Sequence, residues 1–205
     1  MKKLPDKTVE RLSQYRRTLR LALGSGKSNI FSHELAALLH ITPVQVRRDI
    51  MLMGYSGTLR QGYDVKELID RISKIIDTKD GQKVAVVGIG NLGRAIIGYF
   101  NAQRSKMKIV AAFDVNPEKI EREFAEINCY HTDKLSEIVK SEGITIAVLT
   151  VPGDVAVVVT DQLVKAGIKG ILNFTSKPLN VPSNVYLEEY DIITSLEKVA
   201  YFVKR

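Results

Sequence analysis

The sequence predicts an α/β chain in two parts. A small helix-turn-helix unit with a β wing comes first, and a doubly wound parallel sheet follows. Three observations predict this. Through the first eighty positions apolar residues recur at helical spacing. From Lys83 onward, apolar runs of strand length alternate with helical segments, which implies a parallel sheet covered on both faces. Charge is also split unevenly. Residues 1–80 carry 15 Lys+Arg against 9 Asp+Glu, a net +6, whereas residues 81–205 carry 15 against 14, a net +1. A basic module favours polyanions, because each phosphate it neutralises releases counterions.

Composition sets the outer limits. The chain has 205 residues, 45% hydrophobic and 26% charged, as ordinary folded domains have. No apolar run approaches the ~18 residues of a membrane span. The opening "MKKLPDKTVERL" lacks an apolar core segment, so no signal peptide is expected. The lone Cys129 excludes an intramolecular disulfide and fits a reducing cytoplasm. His33, His40 and His131 are scattered, and no metal site is expected.

In order along the chain, the spacing of Val9, Leu12, Leu19 and Leu23 predicts an amphipathic helix from about Pro5 to Leu23, broken by "GSGKSN". Ser32 is expected to cap a short helix with Leu35, Leu38 and Leu39 inward. In "ITPVQVRRDIMLMGYSG", Thr42 is a good N-cap and Pro43 suits the first helical position. Gln45 completes a capping box. Val46, Ile50 and Met53 share one face, and Gln45, Arg48 and Asp49 fall on others with Arg47 beside them. The turn between these two helices is only His40–Thr42, as in a helix-turn-helix whose second helix enters the major groove. Arg can hold guanine bidentately and Gln adenine, and either can take phosphate. Thr42, Val44, Gln45, Arg47 and Arg48 are therefore the candidate DNA contacts. "GYSGTLRQGYD" reads as a short hairpin wing, with Arg60 near its tip placed to reach a minor groove or phosphates. The helix "DVKELIDRISKII" closes the unit on Val65, Leu68, Ile69, Ile72 and Ile76. A plain three-helix interaction module with solvated arginines is the alternative for this half.

A polar linker, "TKDGQ", puts the boundary near residue 79, with a second domain at 80–190 and a C-terminal helix at 191–205. In the second domain, "VAVVGIGNLGRA" has the G-x-G-x-x-G spacing at Gly88, Gly90 and Gly93, between a strand and a helix. That context makes it a dinucleotide loop of Rossmann type. Gly88 permits the turn, Gly90 the approach of a pyrophosphate and Gly93 close helix packing, with Ile89, Asn91 and Leu92 in the same loop. The phosphates would sit over the helix N-terminus. The next strand ends at Asp114, 26 residues after Gly88 and beyond the usual ~20. A carboxylate there accepts from a ribose 2′-hydroxyl, which favours NAD(H) over NADP(H). A helix "PEKIEREFAE" capped by Asn116 is expected next, then a strand at "INCY". "TVPGD" ends the fourth strand and "NFTS" the fifth, placing Thr150, Val151, Pro152, Asn173 and Phe174 along the crevice. A last short strand is expected near "VYLEEYD".

Little in the sequence supports chemistry on a bound nucleotide. After the strand pattern only some thirty residues remain, too few for a substrate domain, and there is no Tyr-x-x-x-Lys pair. Nothing marks His131 or Lys177 as a general acid. A nucleotide site joined to a basic reader reads as a sensor rather than an enzyme; the rival is a small NAD-dependent oxidoreductase with an N-terminal assembly domain. The final helix, "TSLEKVAYFVKR", carries a stripe of Leu196, Val199, Ala200 and Val203 with Tyr201 and Phe202 beside it, a surface that wants a partner. A second subunit is preferred, since helix-turn-helix proteins commonly read two half-sites as symmetric dimers.

The motifs "TPVQVRRD", "VVGIGNLGRA", "FDVNPEKI", "AVLTVP", "AGIKGILNF" and "LNVP", in this order, resemble those of Rex-type redox-sensing transcriptional repressors over essentially the whole chain. The resemblance implies a winged-helix domain, an NAD(H)-binding Rossmann domain, and a homodimer in which the C-terminal helix is exchanged. It also implies operator DNA as partner and NADH as the releasing signal. It carries Tyr99 and Asp191 over as coupling positions, with Arg16 as partner of Asp191 in the other state. The chain departs from the family pattern in "RRDIMLM", where "RKDLS" and an aromatic are usual, in a short wing, and in "NFTSKPLNVP". The first two bear on operator preference and the third on the nicotinamide environment.

Overall fold

The computed structural model describes residues 4–58, 60–101, 106–120 and 122–204. The chain divides into two compact units, Met1–Lys79 and Asp80–Arg205.

The first unit is built from α1 (Asp6–Gly24), β1 (Asn29–Ile30), α2 (Ser32–Leu39), α3 (Pro43–Leu52), β2 (Tyr63–Asp64) and α4 (Val65–Ile76). Leu12, Tyr15 and Leu19 of α1 pack with Leu35, Val46, Ile50, Leu68 and Ile72 in one core. Apolar residues at i, i+3, i+4 and i+7 of α4 (Val65, Leu68, Ile69 and Ile72) form its buried stripe. Asp64 starts that helix by accepting the Glu67 amide at 2.7 Å. The expected cap at Ser32 is not the one used. Ser32 is the first helical residue, and the Glu34 carboxylate accepts the Phe31 amide instead, at 2.8 Å. Leu38 is exposed, because Leu35 and Ala36 supply the buried face of so short a helix. His40 ends α2 in the left-handed conformation, with φ of 54°. That turn makes the three-residue link to α3 possible.

The wing has a strand the sequence did not reveal. Asn29–Ile30 pairs antiparallel with Tyr63–Asp64, and Thr58 bridges Gly62 through reciprocal backbone hydrogen bonds of 2.9 and 2.8 Å. Two-residue strands carry too little periodicity to be seen.

The second unit holds a seven-stranded sheet. Its strands are β3 (Gln82–Val87), β4 (Met107–Asp114), β5 (Glu123–Phe124), β6 (Ile127–His131), β7 (Ile146–Leu149), β8 (Gly170–Asn173) and β9 (Tyr186–Glu189). Their spatial order is β5-β6-β4-β3-β7-β8-β9, all neighbours parallel except β5 with β6. Helices α5 (Asn91–Asn101), α6 (Leu135–Glu142) and α7 (Ala156–Ala166) connect the strands. Two apolar clusters form the core, one containing Ala85, Phe113, Leu149 and Leu163, the other Val84, Val86, Ile97 and Cys129.

The expected helix at 117–126 is not formed among its described residues. The Asn116 side chain accepts the Glu118 amide at 2.9 Å and its carbonyl accepts the Lys119 amide at 3.0 Å, closing a turn. A tight hairpin follows, with Ala125 and Glu126 at φ of 51° and 68°. The hairpin packs Phe124 and Ile127 against the core, which a helix with Glu and Arg between its apolar residues would do less well.

The last element, α8 (Ile192–Phe202), has no buried residue. Asp191 caps it, accepting the amides of Ile193 at 2.9 Å and Thr194 at 3.4 Å and the Thr194 hydroxyl at 2.8 Å. Its apolar side chains range from 51% exposed at Ile192 to 74% at Phe202.

Candidate functional site

Strand register builds the nucleotide site. Phe113, Val87, Leu149 and Asn173 lie in one row across β4, β3, β7 and β8. The residues that leave the sheet at its C-terminal edge are therefore Asp114, Gly88, Thr150 and Phe174, side by side. Connections run to opposite sides from β3, so this edge is the switch point at which open α/β sheets bind ligands.

The three glycines do different work. Gly88 has φ of +96°, and a Cβ there would lie 2.8 Å from the Thr150 backbone. At Gly93 a Cβ would lie 2.1 Å from the Gly88 carbonyl, so α5 can approach the strand end only with hydrogen at this position. Around Gly90, by contrast, nothing lies within 4 Å. That open space fronts the first turn of α5, whose amides have no acceptor within the helix. It is the cradle a pyrophosphate needs. Thr150 braces the loop, its hydroxyl lying 2.7 Å from the Gly88 carbonyl and 3.1 Å from that of Val87.

Asp114 does more than offer an acceptor at the end of β4. It is buried, its Oδ2 accepting the Ile89 amide at 2.7 Å and the Lys119 ammonium at 2.9 Å, its Oδ1 the Asn116 amide at 2.9 Å. Burial alone would raise its pKa; the hydrogen bonds from Asn116, Lys119 and Ile89 outweigh that and hold it below the ordinary value. Asp114 thus shapes the glycine loop and keeps one acceptor position on Oδ1. Ile89 contributes no side chain to the site, being fully buried with its amide committed to Asp114. Asn91 and Leu92 open α5, and the Asn91 side chain accepts from Arg94 at 2.8 Å. Val151 is half-buried against the core and Pro152 is exposed. Asn173 is buried and folds the following loop back on itself, donating to the Lys177 carbonyl at 3.0 Å and accepting the Thr175 amide at 2.9 Å. Phe174 packs against Tyr190, with ring centroids 5.2 Å apart. Tyr99 stands exposed on α5. Below the site, burial pushes the Cys129 thiol up to about 11, so it is an inert core group.

The candidate DNA surface is α3. Thr42 caps it as expected, accepting the Gln45 amide at 3.2 Å. The other half of the expected capping box is absent, because the Gln45 side chain donates to Asp49 at 2.9 Å. Asp49 does not lie on an outer face. It is completely buried and anchors α3 to α1 through Arg11 at 2.6 and 2.8 Å and the Tyr15 hydroxyl at 2.7 Å. Burial works against the charge of Asp49, but the bonds from Arg11, Tyr15 and Gln45 hold its pKa below the ordinary value. An acidic residue one turn beyond Gln45 hides in sequence as a solvated position; only its partners on α1 reveal the role. With Gln45 turned inward, Val44, Arg47, Arg48, Met51 and Leu52 form the outer surface. The Arg47 guanidinium donates to Ser32 Oγ at 3.1 Å. Arg60 is exposed in the wing turn.

Arg16 and Asp191, expected to pair in one of two states, have other partners here. Arg16 is nearly buried and pairs with Asp77 at 2.6 Å, at the end of α4, while the Asp191 carboxylate serves as the cap of α8. Among the described residues no group of three or more His, Cys, Asp or Glu is arranged to hold a metal ion, and no helix is long and apolar enough to cross a membrane.

A helix-turn-helix with a β wing, joined in one chain to a dinucleotide-type α/β domain, defines the class of ligand-responsive DNA-binding regulators. Comparison with known proteins makes this specific. Residues 3–50 match the family model described as "Putative DNA-binding protein N-terminus", and residues 79–177 the one described as "CoA binding domain". The chain is 40% identical over 202 residues to the redox-sensing transcriptional repressor Rex of Anoxybacillus flavithermus, covering 98% of this chain and 95% of that one. It is 38% identical to the Rex repressor of Listeria welshimeri, covering 98% and 94%. Among solved structures it resembles RSP, a Rex-family repressor. The TM-score is 0.90 to RSP in complex with NAD+ and operator DNA and 0.88 to RSP in complex with NADH, each at 30% identity over 99% of this chain and 94–95% of that one. The chain belongs to the Rex family of redox-sensing transcriptional repressors.

Proposed function

We infer that this chain is a repressor that reads the NADH/NAD+ ratio. Two copies hold palindromic operator DNA through α3 and the wing, and the complex is released when the reduced nucleotide occupies the sheet edge. NAD(H) acts as signal and not as reactant. The observation that carries this reading is the pairing, in one chain, of an open cradle at Gly90 with an exposed cationic helix start at Arg47 and Arg48. The names of its relatives, repressors rather than enzymes, support it.

The geometry supports the following residue roles. The first-turn amides of α5 hold the pyrophosphate, with Gly88, Gly90 and Gly93 giving them access and Thr150 bracing the loop. Asp114 holds the adenosine ribose. The two redox states differ by one hydride and one charge at the nicotinamide. Discrimination therefore belongs to the far end of the crevice, where Thr150–Pro152 and the loop folded by Asn173 lie. Arg47 and Arg48 contact bases or phosphates, Val44 offers a methyl surface to thymine, and Arg60 reaches from the wing. Gln45 orients Asp49 and reads no base while that bond holds.

The exposed α8 covers its apolar face on, or exchanged with, a second subunit, making 191–205 an assembly segment. Arg16, Tyr99 and Asp191 carry the coupling between subunits. The working compartment is the cytoplasm, where DNA and nucleotide pool meet. A signal of this kind requires NADH to bind the released state more tightly than the DNA-bound state, by several kcal/mol for a nearly complete switch. A mobility-shift titration of NADH at fixed NAD+, on a palindromic duplex selected by the protein, tests the reading. Retreat of the shifted band is expected, and an unmoved band across the titration refutes it.

A further inference from the structure

The wing leaves the end of α3 through residues 54–57, which form no strand, and turns back at the Thr58–Gly62 bridge. Its return limb, β2, is paired with β1. The outgoing limb has no such ladder, and Tyr55 fixes it instead. The Tyr55 amide donates to the Ile50 carbonyl at 3.3 Å, pinning the limb to α3. Its hydroxyl donates to Glu67 Oε2 on α4 at 3.0 Å. Arg71, one turn further along α4, donates through Nε and Nη2 to Glu67 Oε1 at 3.0 and 2.8 Å. Its guanidinium lies over the Tyr55 ring, 4.5 Å from the centroid. The three side chains thus close a ring of contacts in which each holds the other two. Tyr55 also meets Tyr63 of β2, with ring centroids 5.9 Å apart, so both limbs of the wing share one aromatic contact.

Such a cluster does little for folding. Arg71 and Glu67 are 39% and 46% exposed, and exposed pairs contribute little once the ordering of two long side chains is counted. What the cluster does fix is the direction in which the wing leaves α3 and α4. Thr58 comes three residues after Tyr55, and Arg60 is exposed in the turn beyond it. A cation held in place binds DNA more tightly than one on a wandering loop, because the ordering cost is met before the duplex arrives. We propose that Tyr55, Glu67 and Arg71 are positioning residues for DNA recognition, which preorganise the wing so that Arg60 reaches the duplex. A carboxylate, of the wrong sign to attract DNA, thereby raises the affinity for it. The proposal rests on the reading of the wing as a DNA contact.

The test is a fluorescence-anisotropy titration of the full-length protein with the palindromic duplex it selects. Glu67→Ala and Tyr55→Phe are each measured with Arg60 present and in an Arg60→Ala background. Removing a surface carboxylate should by electrostatics alone tighten binding to a polyanion. The proposal gives the opposite sign. Glu67→Ala weakens operator binding by about fivefold, part of what losing Arg60 itself costs. Tyr55→Phe, which changes no charge and keeps the ring under Arg71, weakens it by about threefold. In the Arg60→Ala background neither substitution weakens binding by as much as roughly twofold, because there is no cation left to position. Denaturant midpoints of both variants stay close to the parent's. Tighter binding by Glu67→Ala overturns the proposal, and so do losses of equal size with and without Arg60. If Arg60→Ala alone changes neither operator affinity nor its salt dependence, the reading of the wing fails and the proposal with it, a result distinct from a failure of the cluster.

Discussion

Replacing Gly93 and Gly90 by alanine, one at a time, separates folding from binding at the same loop. At Gly93 the new Cβ would lie 2.1 Å from the Gly88 carbonyl and 3.0 Å from Thr150 Oγ1. The nearer partner is backbone, so either α5 or the strand end must move by roughly 1 Å, an overpacking that costs about 1–3 kcal/mol. A domain of this size then melts lower by on the order of 4 °C for each kcal/mol. At Gly90 nothing lies within 4 Å and no left-handed backbone is required, so alanine is accommodated without strain. Its methyl instead fills the space through which a pyrophosphate reaches the amides of α5. Gly90→Ala should keep its melting temperature within about 1 °C and lose NADH affinity by at least tenfold. Calorimetry for melting and nicotinamide fluorescence for binding are sufficient. The reasoning is refuted if Gly90→Ala melts as low as Gly93→Ala, or if it binds NADH like the parent.

Other expectations follow from the same contacts. Asp49→Ala leaves Arg11 and Tyr15 without their shared acceptor and should cost the first unit about 3 kcal/mol, measured by denaturant unfolding. Asp49 and Asp114 both titrate below the ordinary carboxylate value of 3.8 when folded. Their stabilisation is therefore present above that pH and lost as pH falls through the folded values; acid unfolding followed by circular dichroism should begin there, and Asp49→Asn should flatten the first unit's share. Arg47→Ala should weaken operator binding and lower the slope of log affinity against log salt by about 1 while melting is unchanged; an unchanged slope would remove Arg47 from the phosphate contacts. Leu196→Asp with Val199→Asp puts charge on the exposed face of α8 and should shift sedimentation from dimer to monomer. Cys129 should resist thiol reagents at pH 8 until the domain unfolds, its thiol being held near 11.

The sequence was most informative where a residue type is forced. Only glycine satisfies Gly88 and Gly93, so the fingerprint, the strand before it and the helix after it could be read directly. Pro43 and Thr42 fixed the start of α3 in the same way. It was least informative where long-range partners decide. Asp49 has the local pattern of a surface residue, and nothing short of Arg11 and Tyr15, more than thirty positions away, marks it as buried. The segment after Asp114 has helix-forming residues and a good cap, yet the side chains of Asn116 and Lys119 spend their bonds on a turn and on Asp114. Strand β1 is two residues long and exists because β2 lies beside it.

If bound NADH lowers the affinity for operator DNA, bound operator must lower the affinity for NADH, because such coupling is reciprocal. The dissociation constant for NADH, measured by fluorescence with and without saturating operator duplex, tests it without reference to any reporter. Operator DNA should weaken NADH binding by the same factor by which NADH weakens operator binding. An NADH affinity identical in the presence and absence of operator would contradict it.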